Sequence, residues 1–165
     1  MFKDNGEWGT YEGDPLDDDG DRQGTGRMTY VSGNSYQGPF VSNKYHGDKG
    51  IYRWADGEQY EGRWSGGERD GFGIFTRSDG SVFYSMYERG KAKGEGVQWN
   101  ADRSIAHKTE DGNEAVELLT DEAEKLAMEK FNLPAPVPAA PTATADGVTS
   151  IASQRKIAPS KLMHF

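Results

Sequence analysis

A glycine pair returns at a fixed interval along the first hundred residues, and that spacing limits the chain to one small unit laid down side by side. Gly24-Thr25-Gly26, Gly71-Phe72-Gly73 and Gly94-Glu95-Gly96 carry it directly, and Gly47-Asp48-Lys49-Gly50 carries it with one residue inserted. The anchors Gly26, Gly50, Gly73 and Gly96 stand 24, 23 and 23 residues apart. Seven residues beyond the anchor lie Gly33, Gly57 and Gly80, then Arg103. Ten beyond it lie Tyr36, Tyr60 and Phe83, then Ala106. Next come Gly38, Gly62 and Ser85, and then a second ring at Phe40, Trp64 and Tyr87. Five positions held in phase over three periods define an internal repeat.

The unit is a β-hairpin. Apolar residues alternate before each turn glycine (Met28 and Tyr30; Tyr52 and Trp54; Phe75) and again after it, the period of a half-buried strand. Ser32-Gly33-Asn34, Asp56-Gly57-Glu58 and Asp79-Gly80-Ser81 supply the positive φ that a tight turn requires. A hairpin of this size is stable only when stacked on neighbours. Gly38 and Gly62, each between two rings, mark places where another group approaches the bare backbone, and a ring from the adjacent strand is the expected visitor. The fold class follows: mainly β, an elongated single-layer antiparallel sheet of stacked hairpins.

Composition agrees and divides the chain in two. Of 22 glycines only Gly147 lies beyond residue 112, and of 19 aromatics only Phe131 and Phe165 lie beyond residue 99. The repeat region therefore spans 1–110, with units near 6–26, 26–50, 50–73 and 73–106. Residues 113–132 change period: Leu119, Ala123, Leu126, Ala127 and Phe131 share one helical face, Thr120-Asp121-Glu122 reads as an N-terminal cap, and Leu133-Pro134 ends the helix. Residues 133–165 read as a Pro/Ala linker and a tail in which Arg155, Lys156 and Lys161 alternate with Ile151, Ile157, Leu162, Met163 and Phe165.

Tyr60-Glu61-Gly62-Arg63-Trp64, followed by Gly71-Phe72-Gly73 and Gly80, resembles the MORN (membrane occupation and recognition nexus) repeat. Tyr36-Gln37-Gly38-Pro39-Phe40 and Tyr11-Glu12-Gly13 match it in part, and Phe83-Tyr84-Ser85-Met86-Tyr87 keeps the aromatic frame with serine for glycine. The resemblance covers about residues 6–106. It implies a scaffold or adaptor within a larger protein assembly, in a cytoplasmic or cytoskeletal setting. Such a platform would bind a partner helix or strand on its aromatic face. The expected contact rings are Tyr36, Phe40, Tyr52, Trp54, Tyr60, Trp64, Phe75, Phe83, Tyr87 and Trp99. Arg63, Arg69, Arg89, Lys91 and Lys93 are the expected rim charges, and Ile157, Leu162, Met163 and Phe165 the expected docking residues of the tail.

Other classes are disfavoured by charge and chemistry. Nineteen Lys and Arg against 27 Asp and Glu give a net charge of −8, the wrong sign for a nucleic-acid binder. The same charge, with six acids against two lysines in 113–131, disfavours a peripheral membrane or phosphoinositide tether, which stays as an alternative beside a regulatory subunit of an enzyme. No apolar run approaches the roughly 20 residues of a membrane span, and the first six residues lack the apolar core of a secretory leader, so an intracellular chain is expected. Without cysteine there is no disulfide or thiolate site. No catalytic motif appears, and neither a cofactor nor a metal is expected. Asp17-Asp18-Asp19-Gly20-Asp21 reads as a solvated acidic turn rather than a calcium loop, because the twelfth position, where an EF-hand needs glutamate, is Met28. Edge-to-edge self-association is compatible with an open sheet.

Overall fold

A computed structural model describes residues 1–138 apart from Asn5. The repeat becomes one antiparallel meander of twelve strands: β1 (Phe2–Asp4), β2 (Glu7–Gly13), β3 (Gly24–Tyr30), β4 (Ser35–Val41), β5 (Lys44–Tyr45), β6 (Gly47–Arg53), β7 (Gln59–Ser65), β8 (Glu68–Thr76), β9 (Val82–Glu88), β10 (Lys91–Trp99), β11 (Ala106–Glu110) and β12 (Asn113–Leu118). Spatial order follows chain order, except that the two-residue β5 pairs off the path with β4. The helix α1 (Thr120–Phe131) follows the last strand.

The turn chemistry repeats as the spacing predicts. Trp54 N donates to Glu58 O at 2.9 Å and Gly57 N to Trp54 O at 3.1 Å, and equivalent bonds close the turns at Gly33 and Gly80. These three glycines sit at φ of 95°, 93° and 87°. In the fourth unit Arg103 takes the glycine's place and adopts φ 64°.

Cross-strand register sorts the residues onto two faces. One ladder crosses the sheet as Tyr11, Met28, Tyr36, Tyr52, Tyr60, Phe75 and Phe83, then continues as Gln98, His107 and Glu117. We call this the front. The neighbouring ladder on the back runs Thr10, Thr29, Ser35, Arg53, Gln59 and Thr76, then Val82, Trp99, Ala106 and Leu118. The apolar side thus changes from front to back near β9.

Each side closes its own core. On the front, Tyr60 folds back along its own strand, and its hydroxyl donates to Arg63 O at 3.1 Å. Tyr36 donates to Pro39 O at 2.9 Å and Tyr11 to Asp14 O at 3.2 Å in the same way. The ring covers glycine backbone: a Cβ built on Gly73 would stand 2.3 Å from Tyr60, and one on Gly50 would stand 2.4 Å from Trp64. The expected visitor from the adjacent strand is corrected here. Over Gly38 and Gly62 the nearest side-chain atoms are the Tyr36 and Tyr60 hydroxyls, from two residues earlier in the same strand. A hydroxyl two residues back can reach across its own glycine to the carbonyl beyond it, and it thereby satisfies a backbone acceptor.

The back core forms under α1. Ala123 and Ala127 are fully buried against Val82, Tyr84, Val97, Trp99 and Ala106, and Phe131 stands 5.0 Å from Phe72, ring centre to ring centre. Glu95 fastens the helix, accepting from Lys130 Nζ at 2.6 Å and from Lys108 Nζ of β11. These two bonds, Lys108 first, hold the Glu95 carboxyl down to about 2 from the usual 4.5. The segment expected as helix from residue 113 is corrected. Asn113–Leu118 is strand β12, paired with β11, and the helix starts at Thr120 behind a Leu119 N–H that donates to Glu122 Oε2 at 3.0 Å. An open strand edge offering backbone partners outweighs the helix propensity of Glu, Ala and Leu.

The acidic turn serves the first unit. Asp17 Oδ1 accepts from the Asp21 and Asp19 N–H groups at 2.8 and 3.1 Å. Arg22, 1% exposed, forms a bidentate pair with Asp4 at 2.7 and 2.5 Å and bonds Asn43. Burial pushes the Asp4 carboxyl up, yet the Arg22 and Tyr30 hydrogen bonds bring it below its usual value. That network ties β1 to the loop before β3 and to the β4–β5 turn.

Candidate functional site

A front region of the sheet is concave. It lies over β8 to β10, where the aromatic ladder gives way to polar residues, and measures about 780 Å³. Phe75, Phe83 and Tyr87 form its floor, and Ala92 lies beside Tyr87 as its cross-strand neighbour. Arg69 and Arg77 stand along β8 and its turn, and Arg89, Lys91 and Lys93 along the β9–β10 hairpin. Glu88 and Asp111 are the acids of the lining. Five cations against two acids is a local reversal of charge in a chain of net −8.

The cations differ in what they already hold. Arg69 lies over the Tyr87 and Tyr60 rings at 5.0 and 5.5 Å and donates to Gly90 O at 2.5 Å. Arg77 stands 5.9 Å from the Phe83 ring, and Lys93 faces Asp111 at 3.4 Å. Among the described residues, Arg77, Arg89 and Lys91 stand in no ion pair. Such a surface offers flat apolar contact at its centre and unpaired N–H donors at its margin.

The expected contact rings divide into three groups. Tyr52, Trp54 and Phe75 are half-buried on the front and keep accessible ring surface, with Trp54 5.6 Å from Phe75. Tyr36, Phe40, Tyr60, Trp64 and Tyr87 are buried, because these rings pack edge to face with one another at about 5 Å, and Phe83 is buried beside Arg77. For Tyr36, Phe40, Tyr60 and Trp64, the expectation of a contact surface is corrected: they build the platform's interior. Phe83 and Tyr87 are buried yet line the concavity. Trp99 is corrected in another sense, since it lies on the back under α1.

Of the expected rim charges, Arg69, Arg89, Lys91 and Lys93 converge on this site. Arg63 does not, standing exposed and 3.8 Å from Asp48. Ile157, Leu162, Met163 and Phe165 lie outside the described residues. Arg77 and Ala92 were not expected in the site. Arg77 directly follows the strand that carries Phe75, and the two-residue offset from Phe75 places it on the front. Phase also carried the signal for Trp99, which stands three residues past its anchor, as Thr29, Arg53 and Thr76 do on the back.

The described residues contain no group of three acidic or histidine side chains close enough to hold a metal ion. Nor is any described helix long and apolar enough to cross a membrane. The MORN repeat pattern matches residues 18–35, 36–59 and 60–82. MORN repeat-containing protein 3 of Xenopus laevis is 45% identical over 47 residues, which are 28% of this chain and 19% of that protein. The chain thus spans about a fifth of the length of this curated relative. The three matched units coincide with the ring-over-glycine hairpins of the front face, and the chain carries three MORN repeats over residues 18–82.

Proposed function

We propose that the protein is a non-catalytic scaffold or adaptor that holds a partner protein against the front of its sheet, as a component of a larger assembly. The observation that carries this reading is the concavity over β8 to β10, with ring surface at its base and three unpaired cations at its margin. A helix or extended strand fits such a surface, since both present side chains at regular intervals to a long shallow site. A non-catalytic role accords with the polar inventory. Asp4 binds Arg22, Asp17 and Asp111 bind backbone N–H groups, and Glu95 binds two lysines, so each acts as a structural tie. An intracellular, assembly-bound location goes with the same reading.

The test is recovery of the native assembly on the tagged chain. Trp54→Ala combined with Phe75→Ala removes accessible ring surface while leaving the buried Tyr36, Tyr60 and Trp64 in place. Loss of partner proteins from a folded double variant is expected. Undiminished recovery would contradict the front-face assignment.

A further inference from the structure

The position two residues before each glycine pair has a repeated task, and the last unit leaves it undone. That position is Arg22, Tyr45, Arg69 and Ala92 in turn. Tyr45 faces Phe40 across the ladder, Arg69 faces Trp64, and Ala92 faces Tyr87. In the first three units a planar group lies against the front rings. The Arg22 guanidinium stands 5.2 Å from both Phe2 and Phe40. The Tyr45 ring stacks on Tyr36 at 3.8 Å and meets Trp64 edge to face at 5.3 Å. The Arg69 guanidinium covers Tyr60 and Tyr87. Ala92 supplies only a methyl group. By the geometry of Tyr45, which lies on Tyr36 and 5.7 Å from its cross-strand partner Phe40, a planar group there would lie against Phe83 and the cross-strand Tyr87, the floor of the concavity. Gly112 adds no side chain to fill it, and a Cβ there would stand 3.1 Å from that of Ala92.

We infer that this hollow accepts a planar aromatic side chain from an acidic segment of the partner protein. Two independent features choose that chemistry. The chain's own solution in three units shows that flat groups suit the space between these rings. Two flat side-chain types are available, a guanidinium or an aromatic ring, and the five surrounding cations disfavour the guanidinium. Acidic neighbours of the ring then meet Arg77, Arg89 and Lys91, which stand in no ion pair among the described residues. From Phe83 to Tyr87 the floor runs four residues, about 13 Å at roughly 3.3 Å per residue. An extended segment of four or five residues spans it. The inference rests on the front-face reading above and names the chemistry of its partner.

Calorimetric titration of the whole chain with the acetylated, amidated peptide Glu-Asp-Glu-Trp-Glu-Asp-Glu tests it. Saturable binding is expected, with a loss of about tenfold or more when the peptide's tryptophan becomes alanine. Ala92→Arg imitates the Arg69 arrangement, plugs the hollow from within, and is expected to weaken binding to the same degree. Because that variant also changes a half-buried position, the surface pair Arg89→Glu and Lys91→Glu is run beside it, with a similar loss expected from a folded protein. The absence of peptide binding, or binding unchanged in either folded variant, would overturn the inference. So would binding to anionic phosphatidylserine vesicles in place of the peptide. If the peptide fails while Trp54→Ala with Phe75→Ala still releases the native partner, the front-face reading stands and only the acidic aromatic chemistry falls.

Discussion

The two ends of the sheet solve the same problem on opposite faces. From β2 to β8 the hairpins cover themselves: tyrosines fold over glycine, and Arg22, Tyr45 and Arg69 close the front between them. From β9 onward the front ladder reads Phe83, Gln98, His107 and Glu117, and burial moves to the back, where α1 covers Trp99, Val97 and Tyr84. The backbone scaffold barely changes, since the hairpins continue. What changes is a handful of side chains: Phe83 lacks the hydroxyl, Ser85 replaces glycine, Ala92 replaces a planar group, and Trp99 occupies a back position held by Thr29, Arg53 and Thr76 in earlier units. The lesson is that the hairpin repeat does not dictate which side is buried. The concavity lies where one solution stops and the other begins, so a break in the pattern leaves the surface that a partner can use.

The contrast is broken most sharply at the glycine ladder. Gly73→Ala places a Cβ 2.3 Å from the Tyr60 ring, and a loss of about 2–3 kcal/mol in urea unfolding is expected. Its cross-strand neighbour Ser85 already carries a Cβ, and Ser85→Ala is expected to change stability by no more than about 1 kcal/mol. Equal losses at the two positions would contradict the division of the sheet. A smaller effect belongs to the hydroxyl. Tyr60→Phe removes the bond to Arg63 O and should cost about 1 kcal/mol by the same measurement, bringing this unit closer to the Phe83 unit. No change would show that the ring alone holds the front.

The gentlest probe concerns the back face and acid. The Glu95 carboxyl lies at about 2 in the folded chain against 4.5 ordinarily. A depressed carboxylate stabilises the folded state fully above the ordinary value, and its contribution is lost as pH falls through the window down to about 2. Trp99 fluorescence, reporting the back core, should therefore change between pH 4.5 and 2, and Glu95→Gln should remove that component. A component unaltered by the substitution would assign the acid response to other carboxylates.

Much of this architecture is legible in the sequence because periodicity is. The strands, the turns at Gly33, Gly57 and Gly80, and the role of glycine as landing ground for rings all follow from phase and spacing. Three features did not. The covering ring over Gly62 comes from Tyr60 of the same strand, because its hydroxyl finds the Arg63 carbonyl, a partner invisible to pattern. Asn113–Leu118 joined the sheet because β11 offered an open edge, a tertiary term that local propensity does not contain. The expected contact rings proved mostly internal because aromatic density in a single-layer sheet serves its own packing first. Of the five expected rim charges, Arg89, Lys91 and Lys93 line the concavity together because they share one hairpin, Arg69 reaches it from β8, and Arg63 stands outside it.

Site-specific photocrosslinking in the native assembly tests the docking face most directly. A benzophenone side chain is introduced either at Arg77, exposed on the front at the margin of the concavity, or at Glu61, exposed on the back of β7. The account predicts a covalent adduct with a partner protein from the Arg77 position and none from Glu61. An adduct from Glu61 with none from Arg77 would contradict it.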